Sequence, residues 1–183
     1  MARWLSVGAL MLFSALLQWQ PLARWAMWWR EDLASGQIWR LVSAHFTHTN
    51  WPHWAMNMLA LAIIVFFFQC SARALWRLSL ILSVWIGAGL WFTELQGYMG
   101  FSGVLHGLFV YFALQEWMLG RDSSLWLVLA VSVKIIWETI FGASDSTQML
   151  INAPVAIVAH QLGFWGGILI ALPELFKKKV LDC

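Results

Sequence analysis

Charged residues and cysteines are scarce in this sequence, and each scarcity excludes a class of protein. Lysine, arginine, aspartate and glutamate together make up 11% of the 183 residues, against about 25% in an average chain. The net charge of +2 is too small to indicate nucleic-acid binding. The two cysteines, Cys70 and Cys183, form neither a CxxC pair nor a metal-binding spacing, so we interpret both as free thiols.

Hydrophobic residues dominate instead, at 61% of the chain with a mean hydropathy of +0.71. A soluble domain of this length could not bury so much apolar surface, whereas a lipid bilayer accommodates it. The 15 tryptophans agree, because Trp concentrates where hydrocarbon meets lipid headgroups. The sequence therefore predicts an integral membrane protein.

Six apolar segments approach the roughly 20 residues that a membrane-spanning helix needs. No linker or repeat divides them, so residues 1–183 are predicted to form one all-α domain, a polytopic bundle of six transmembrane helices. A cleaved signal peptide is the alternative for the first segment, although no clear A-x-A site follows it. The predicted spans are residues 4–19, 51–69, 75–93, 101–119, 125–141 and 154–172.

Orientation is predicted from lysine and arginine, which are enriched in cytoplasmic loops. The loops that hold Glu94 and Asp145 contain neither residue and are predicted to lie outside. The first loop, residues 20–50, must also lie outside despite three arginines, and its many Trp residues suggest a structured segment in the interface. Both termini are therefore predicted to be cytoplasmic, on the side of Arg3, Arg73, Arg77, Arg121, Lys177, Lys178 and Lys179.

Four polar residues fall at a similar depth in three of these spans. Ser102 begins the fourth span, His160 lies near the start of the sixth, and His53 and Asn57 lie at the start of the second. All three spans enter from the outside, so the four side chains are predicted to lie in the outer part of the membrane. Polar side chains in lipid cost free energy and are therefore candidates for function.

Rows of small residues flank the serine and the last histidine. Such rows allow two helix backbones to approach closely. They are Gly103 and Gly107 in the fourth span and Ala159, Gly163 and Gly167 in the sixth. A close crossing of these spans would bring a serine hydroxyl within hydrogen-bond reach of an imidazole.

These residue types suit acyl transfer. A serine hydroxyl becomes an effective nucleophile when a base such as histidine accepts its proton. His53 and Asn57 are four residues apart, share a helix face and could form an oxyanion hole with the Ser102 backbone N–H. No carboxylate is placed by the sequence to orient His160, so a Ser102–His160 dyad is predicted.

The other histidines leave alternatives open. His106 lies one turn below Ser102 and could line the cavity. His45 and His48 precede the second span and are interpreted first as interfacial residues and second as supports for the site. The five histidines match no standard ligand spacing, so neither a metal nor a cofactor is predicted, and a haem or metal protein is the remaining alternative.

Two charged residues in the fifth span, Lys134 and Glu138, are four positions apart. We interpret them as a mutual ion pair that reduces the free energy of burying both charges. One alternative is a Ser102–Lys134 dyad, and another is a Glu138 that helps to hold substrate.

At these motifs the chain resembles the rhomboid family of intramembrane serine proteases. The matching segments are Gly100–Gly103 for the GxSG nucleophile motif, Ala159–Gly167 for the AHxxGxxxG motif, His48–Asn57 for the second-span pattern and Trp39-Arg40 for the first-loop pair. The resemblance implies a nucleophilic Ser102, a general base at His160, and His53 and Asn57 in the oxyanion region. One departure is Ala44, which stands where many rhomboids have a further histidine.

Within this family the chain is most similar to rhombosortase, on its short length and its Gly103–Gly107 and Lys134–Glu138 segments. The resemblance implies a bacterial inner-membrane enzyme whose active site opens to the outer side. Its substrates would be membrane-anchored proteins with a C-terminal Gly-Gly, an apolar helix and a basic tail, which it releases or passes to another acceptor. The alternatives are a rhomboid that cuts other transmembrane substrates and an inactive rhomboid-like protein that binds membrane clients.

Overall fold

Helices account for most of the described chain. The computed structural model describes the backbone of residues 1–181 and the side chains of residues 1–174, so Cys183 and the side chains of Lys177, Lys178 and Lys179 lie outside the described residues. The helices are α1 (Ala2–Leu16), α2 (Gln20–Ala26), α3 (Arg30–Ala34), α4 (Arg40–Ser43), a 3-10 helix (Ala44–Phe46), α5 (Trp51–Phe68), α6 (Ala72–Leu90), α7 (Ser102–Met118), α8 (Ser124–Phe141), α9 (Asp145–Ile151) and α10 (Ile157–Leu181). Two short strands, β1 (Trp28–Trp29) and β2 (Gly97–Tyr98), pair antiparallel.

The long helices lie in the six regions predicted as spans. Four of them, α5, α6, α8 and α10, are long and apolar enough to cross a membrane, and α1 with α2 makes a fifth if this pair, bent by 104°, is one span. The remaining helix, α7, has 17 residues, of which 11 are buried, and it packs against α5, α6, α8 and α10. The predicted all-α, multi-pass membrane bundle is confirmed, with α7 at its centre.

Helices α7 and α10 approach each other closely where the rows of small residues meet. A Cβ atom on Gly103 would lie 2.7 Å from the carbonyl oxygen of Ala159, and one on Gly107 would lie 2.7 Å from that of Gly163. In return, a Cβ atom on Gly163 would collide with the carbonyl group of Gly103. The predicted close crossing is therefore confirmed, and it brings the first turns of α7 and α10 together.

The segment between α1 and α5 is a folded cap rather than an open loop. Its centre is the buried guanidinium of Arg40, which donates to the carbonyl oxygen of Arg24 at 2.9 Å and pairs with Asp32 at 2.9 Å. The indole of Trp28 donates to the carbonyl oxygen of Gly87 on α6 at 2.9 Å. A structured first loop, as predicted, therefore packs on the helix bundle.

His45 lies inside this cap and not in the lipid interface. Its Nε2 lies 3.0 Å from the carbonyl oxygen of Ser83, and its ring packs edge-on against Tyr98. Burial lowers the pKa of His45 to about 4, so the ring is neutral at physiological pH. The interfacial interpretation of His45 is wrong, because the segment folds back onto α6 and encloses it.

The thiol of Cys70, beyond the end of α5, is buried and free, as predicted.

Candidate active site

Ser102 and His160 meet where α7 and α10 begin. His160 Nε2 lies 2.9 Å from Ser102 Oγ. Gly100 has a φ of 129°, which residues with a side chain rarely adopt, and it turns the chain from β2 into α7. The hydroxyl of Tyr98 donates to the Gly100 carbonyl oxygen at 2.6 Å and holds this turn. The structure therefore brings the predicted pair into hydrogen-bond contact.

A carboxylate lies on the far side of the imidazole. Glu138 Oε2 is 2.9 Å from His160 Nδ1, while Glu138 Oε1 accepts from Lys134 Nζ at 2.6 Å. The prediction that no carboxylate orients His160 is wrong. The rotation of α8 about its own axis directs the Glu138 side chain toward α10. The predicted Lys134–Glu138 pair is confirmed, and Lys134 bonds to Glu138 rather than to Ser102.

Asn57 lies beside the serine on α5. It is buried, it lines the same cavity as Ser102, and its Nδ2 has no hydrogen-bond partner among the described residues. A buried donor without a partner is unusual in a folded protein. It is also what an oxyanion site needs before a substrate arrives. Ser102 is the first residue of α7, so its backbone N–H lies outside the hydrogen bonds of the helix.

The hydrogen bonds of His53 restrict which of its ring nitrogens can donate. Thr49 Oγ1 lies 2.6 Å from the carbonyl oxygen of Ile151 and 3.1 Å from His53 Nδ1. The hydroxyl has one hydrogen, which the shorter bond uses, so the proton shared with His53 belongs to Nδ1. The Nε2 of a neutral His53 is then an acceptor. Asn57 is therefore the better oxyanion donor of the two.

His48 and His106 each pack against another histidine of the site. His48 is buried and packs edge-on against His53, with 4.9 Å between the ring centroids, and burial lowers its pKa well below the usual range. The interfacial interpretation of His48 is therefore wrong, and the alternative of a support for the site agrees with this packing. The ring of His106 stacks on that of His160 at 4.3 Å, and its Nδ1–H donates to the Ser102 carbonyl oxygen at 2.7 Å.

Three of these side chains are close enough to one another to be considered as metal ligands. Ligand atoms of His106, Glu138 and His160 lie within 4.8 Å of one another. The two imidazoles are stacked with only 22° between their planes, so their in-plane lone pairs do not converge on one point. Both nitrogens of His160 also have partners, in Ser102 and Glu138. This arrangement favours hydrogen bonding over metal ligation.

A scan against protein families matches the Rhomboid domain over residues 35–175, which is more than half of the chain. The chain belongs to the rhomboid family. Rhomboids are intramembrane serine proteases that act on membrane proteins within the bilayer. No curated protein matches the sequence.

Two cavities of this rhomboid meet at the serine. One, of about 390 Å³, is lined in part by α9 and contains Ser102, His160, His53 and Asn57. The other, of about 480 Å³, is an apolar cleft between α5 and α8. Residues of α7 also line it, and it extends to Lys134. Ser102 and Asn57 line both cavities. A peptide in either cavity could therefore approach the hydroxyl.

Two further residues of this rhomboid hold the site, and sequence reasoning missed both. Thr49 joins His53 to α9, because its hydroxyl bonds to His53 Nδ1 and to the carbonyl oxygen of Ile151. Gln161 Nε2 donates to Thr139 Oγ1 at 2.8 Å and so joins α10 to α8 next to Glu138. The sequence contained one indication of these roles: Thr49 and Gln161 each lie within four positions of a predicted site residue.

Proposed function

We propose that this rhomboid is an endopeptidase in which Ser102 attacks a peptide carbonyl of a membrane-anchored protein. The supporting observation is the 2.9 Å distance between Ser102 Oγ and His160 Nε2. As the bond from Oγ to the carbonyl carbon forms, the hydroxyl proton moves to Nε2. His160 then gives this proton to the leaving amine nitrogen as the peptide bond breaks. Water or another acceptor would release the acyl group from Ser102.

The oxyanion that forms during attack needs donors in a place with little water. We assign this role to Asn57 Nδ2 and the Ser102 backbone N–H, with His53 lining the same position. The unpaired Asn57 donor supports this assignment. His48 and His106 fix the neighbouring rings by packing and do not contact the reacting atoms in this proposal.

The site is proposed to open to the outer face of a bacterial inner membrane, with both termini in the cytoplasm. Asn57, Ser102 and His160 lie within the first two turns of α5, α7 and α10 and line one cavity, so these helices begin at the same side of the bundle. The folded cap and α9 lie on that side as well. The distribution of lysine and arginine, which favours cytoplasmic loops, supports this orientation.

A fluorophosphonate probe tests the nucleophile. An activated serine forms a covalent phosphonate adduct, whereas an inert serine hydroxyl does not. We expect one adduct, on the peptide that contains Ser102, when the purified protein is labelled and mapped by mass spectrometry. No adduct would favour an inactive client-binding protein, and an adduct on another serine would contradict the assignment of Ser102.

The proposed substrates are proteins with a C-terminal Gly-Gly, an apolar helix and a basic tail. Two adjacent glycines weaken a helix by roughly 1 kcal/mol each relative to alanine, so they ease the unwinding that a protease requires. We expect replacement of Gly-Gly by Leu-Leu in such a substrate to lower its cleavage at least tenfold. Equal cleavage of both would indicate a rhomboid that cuts other transmembrane proteins. The mass of the new C-terminus would distinguish hydrolysis from transfer to an amine.

A further inference from the structure

We propose that Glu138, paired with Lys134, is a positioning residue that completes a Ser102–His160–Glu138 triad within the membrane. The inference rests on the proposed function, because it concerns the same histidine. It adds a third group to the proposed serine–histidine pair, and it gives a role to the two charged residues of α8.

The evidence is an unbroken chain of hydrogen bonds. Lys134 Nζ lies 2.6 Å from Glu138 Oε1, and Glu138 Oε2 lies 2.9 Å from His160 Nδ1. On the other side of the ring, His160 Nε2 lies 2.9 Å from Ser102 Oγ. A carboxylate only accepts, so Nδ1 must be the donor and carry the ring proton. Nε2 therefore presents its lone pair to the serine, which is the tautomer that a general base requires.

The proton and charge balance of the attack supports the same role. The Ser102 proton moves to Nε2, and His160 becomes a cation next to the ionised Glu138. Glu138 takes up no proton in this step, but it stabilises the imidazolium until the proton passes to the leaving nitrogen. A carboxylate in this position stabilises the transition state more than the ground state, since the imidazolium exists only after attack begins.

Lys134 explains how a carboxylate can remain in this place. The side chain of Glu138 is only 15% exposed, and α8 is long and apolar enough to cross a membrane. A charged side chain inside a membrane span costs free energy unless a partner compensates it. Lys134 lies one turn earlier on the same helix and binds the one oxygen of Glu138 that His160 does not use. It acts through Glu138 and offsets part of this cost.

Two contacts restrict the position of the imidazole between these partners. The His106 ring covers one face of His160, and the Gln161–Thr139 hydrogen bond ties α10 to α8 beside Glu138. The ring is thus held by packing as well as by its two nitrogens. This is the arrangement expected of a site whose geometry is fixed before the substrate binds.

Glu138→Gln tests the role of the carboxylate, and Glu116→Gln is its matched control. Glu116 is also 15% exposed and also pairs with a cation at 2.6 Å, Arg121, but it lies at the other end of α7. We expect Glu138→Gln to lower kcat by about 10²–10⁴-fold with little change in KM, while Glu116→Gln keeps normal kcat. A kcat within a few fold of wild type for Glu138→Gln would overturn the proposal.

Lys134→Met, made alone and together with Glu138→Gln, tests whether Lys134 acts through Glu138. We expect Lys134→Met to lower kcat at least tenfold alone and to have no further effect when Glu138 is already Gln. The double variant leaves no unpaired charge in the span, so it should fold and still show the low kcat of Glu138→Gln. An equal loss in both backgrounds would mean that Lys134 contacts substrate directly, which contradicts the proposed relay.

The same assay separates this inference from the proposed function. If Ser102→Ala abolishes cleavage but Glu138→Gln does not, the endopeptidase assignment stands and the triad is wrong. If Ser102→Ala cleaves normally, the proposed function itself fails. If both variants lose activity while both keep the thermal unfolding temperature of wild type, the triad is supported.

Discussion

Replacing Ser102 by alanine should abolish cleavage, and so should replacing His160 by alanine. We expect each change to lower kcat by about 10⁴-fold or more, because either one removes the nucleophile or its base. The double variant should lose no more than either single variant, since the two side chains act as one unit. The measurement is cleavage of a membrane-anchored substrate by the purified protein in liposomes, followed by gel electrophoresis and mass spectrometry.

Ser79→Ala is the matched control for the serine. Ser79 is buried on α6, and its hydroxyl has no hydrogen-bond partner among the described residues, so its loss should leave activity and stability close to wild type. Unfolding temperatures of all variants should agree within a few degrees. Normal cleavage by either Ser102→Ala or His160→Ala would show that the assignment of nucleophile and base is wrong.

Depth along the spans was the part of the site that the sequence could predict. Helix rise is about 1.5 Å per residue, so residue number fixes how far below the surface Ser102, His160 and Asn57 lie. The rows of small residues indicated which two helices approach each other closely. Depth and helix proximity together were enough to predict contact between a hydroxyl and an imidazole.

The rotation of a helix about its own axis is what the sequence could not supply, and Glu138 shows the consequence. Its spacing from Lys134 suggested an ion pair in which each charge has only the other as a partner, since opposite charges at i,i+4 on a helix often pair. A carboxylate has two oxygens, however, and the second one bonds to His160. Apolar residues occupy most positions of α8, so its pattern indicates no clear inward face from which to predict this contact.

The first loop was the least predictable region for a related reason. Its tryptophans and arginines are typical of a membrane interface, and composition alone could not show that the chain folds back on the bundle. Hydrogen bonds from the buried residues Arg40, Trp28 and His45 to backbone carbonyl groups hold that fold. Such bonds use acceptors that every residue possesses, so they leave no pattern in the sequence.

Gly163→Ala should disrupt both the fold and the catalytic geometry. The added Cβ atom would collide with the carbonyl group of Gly103, and backbone on both sides leaves no flexible side chain to move away. We expect a loss of about 1–3 kcal/mol or more in stability from overpacking. The forced separation of α7 and α10 also moves His160 away from Ser102, and a displacement of about 1 Å can cost roughly 10²-fold in rate. Thermal unfolding and substrate cleavage measure the two effects.

Gly8→Ala is the matched control, because Gly8 lies in the middle of α1 and a Cβ atom added there would meet nothing within 4 Å. Alanine stabilises a helix interior by about 0.5–1 kcal/mol relative to glycine, so this variant should unfold at the same or a slightly higher temperature and cleave normally. The same propensity gain acts at Gly163, where steric overlap must exceed it to give a net loss. If Gly163→Ala were as stable and active as Gly8→Ala, the close α7–α10 crossing could not be what positions the imidazole against the serine.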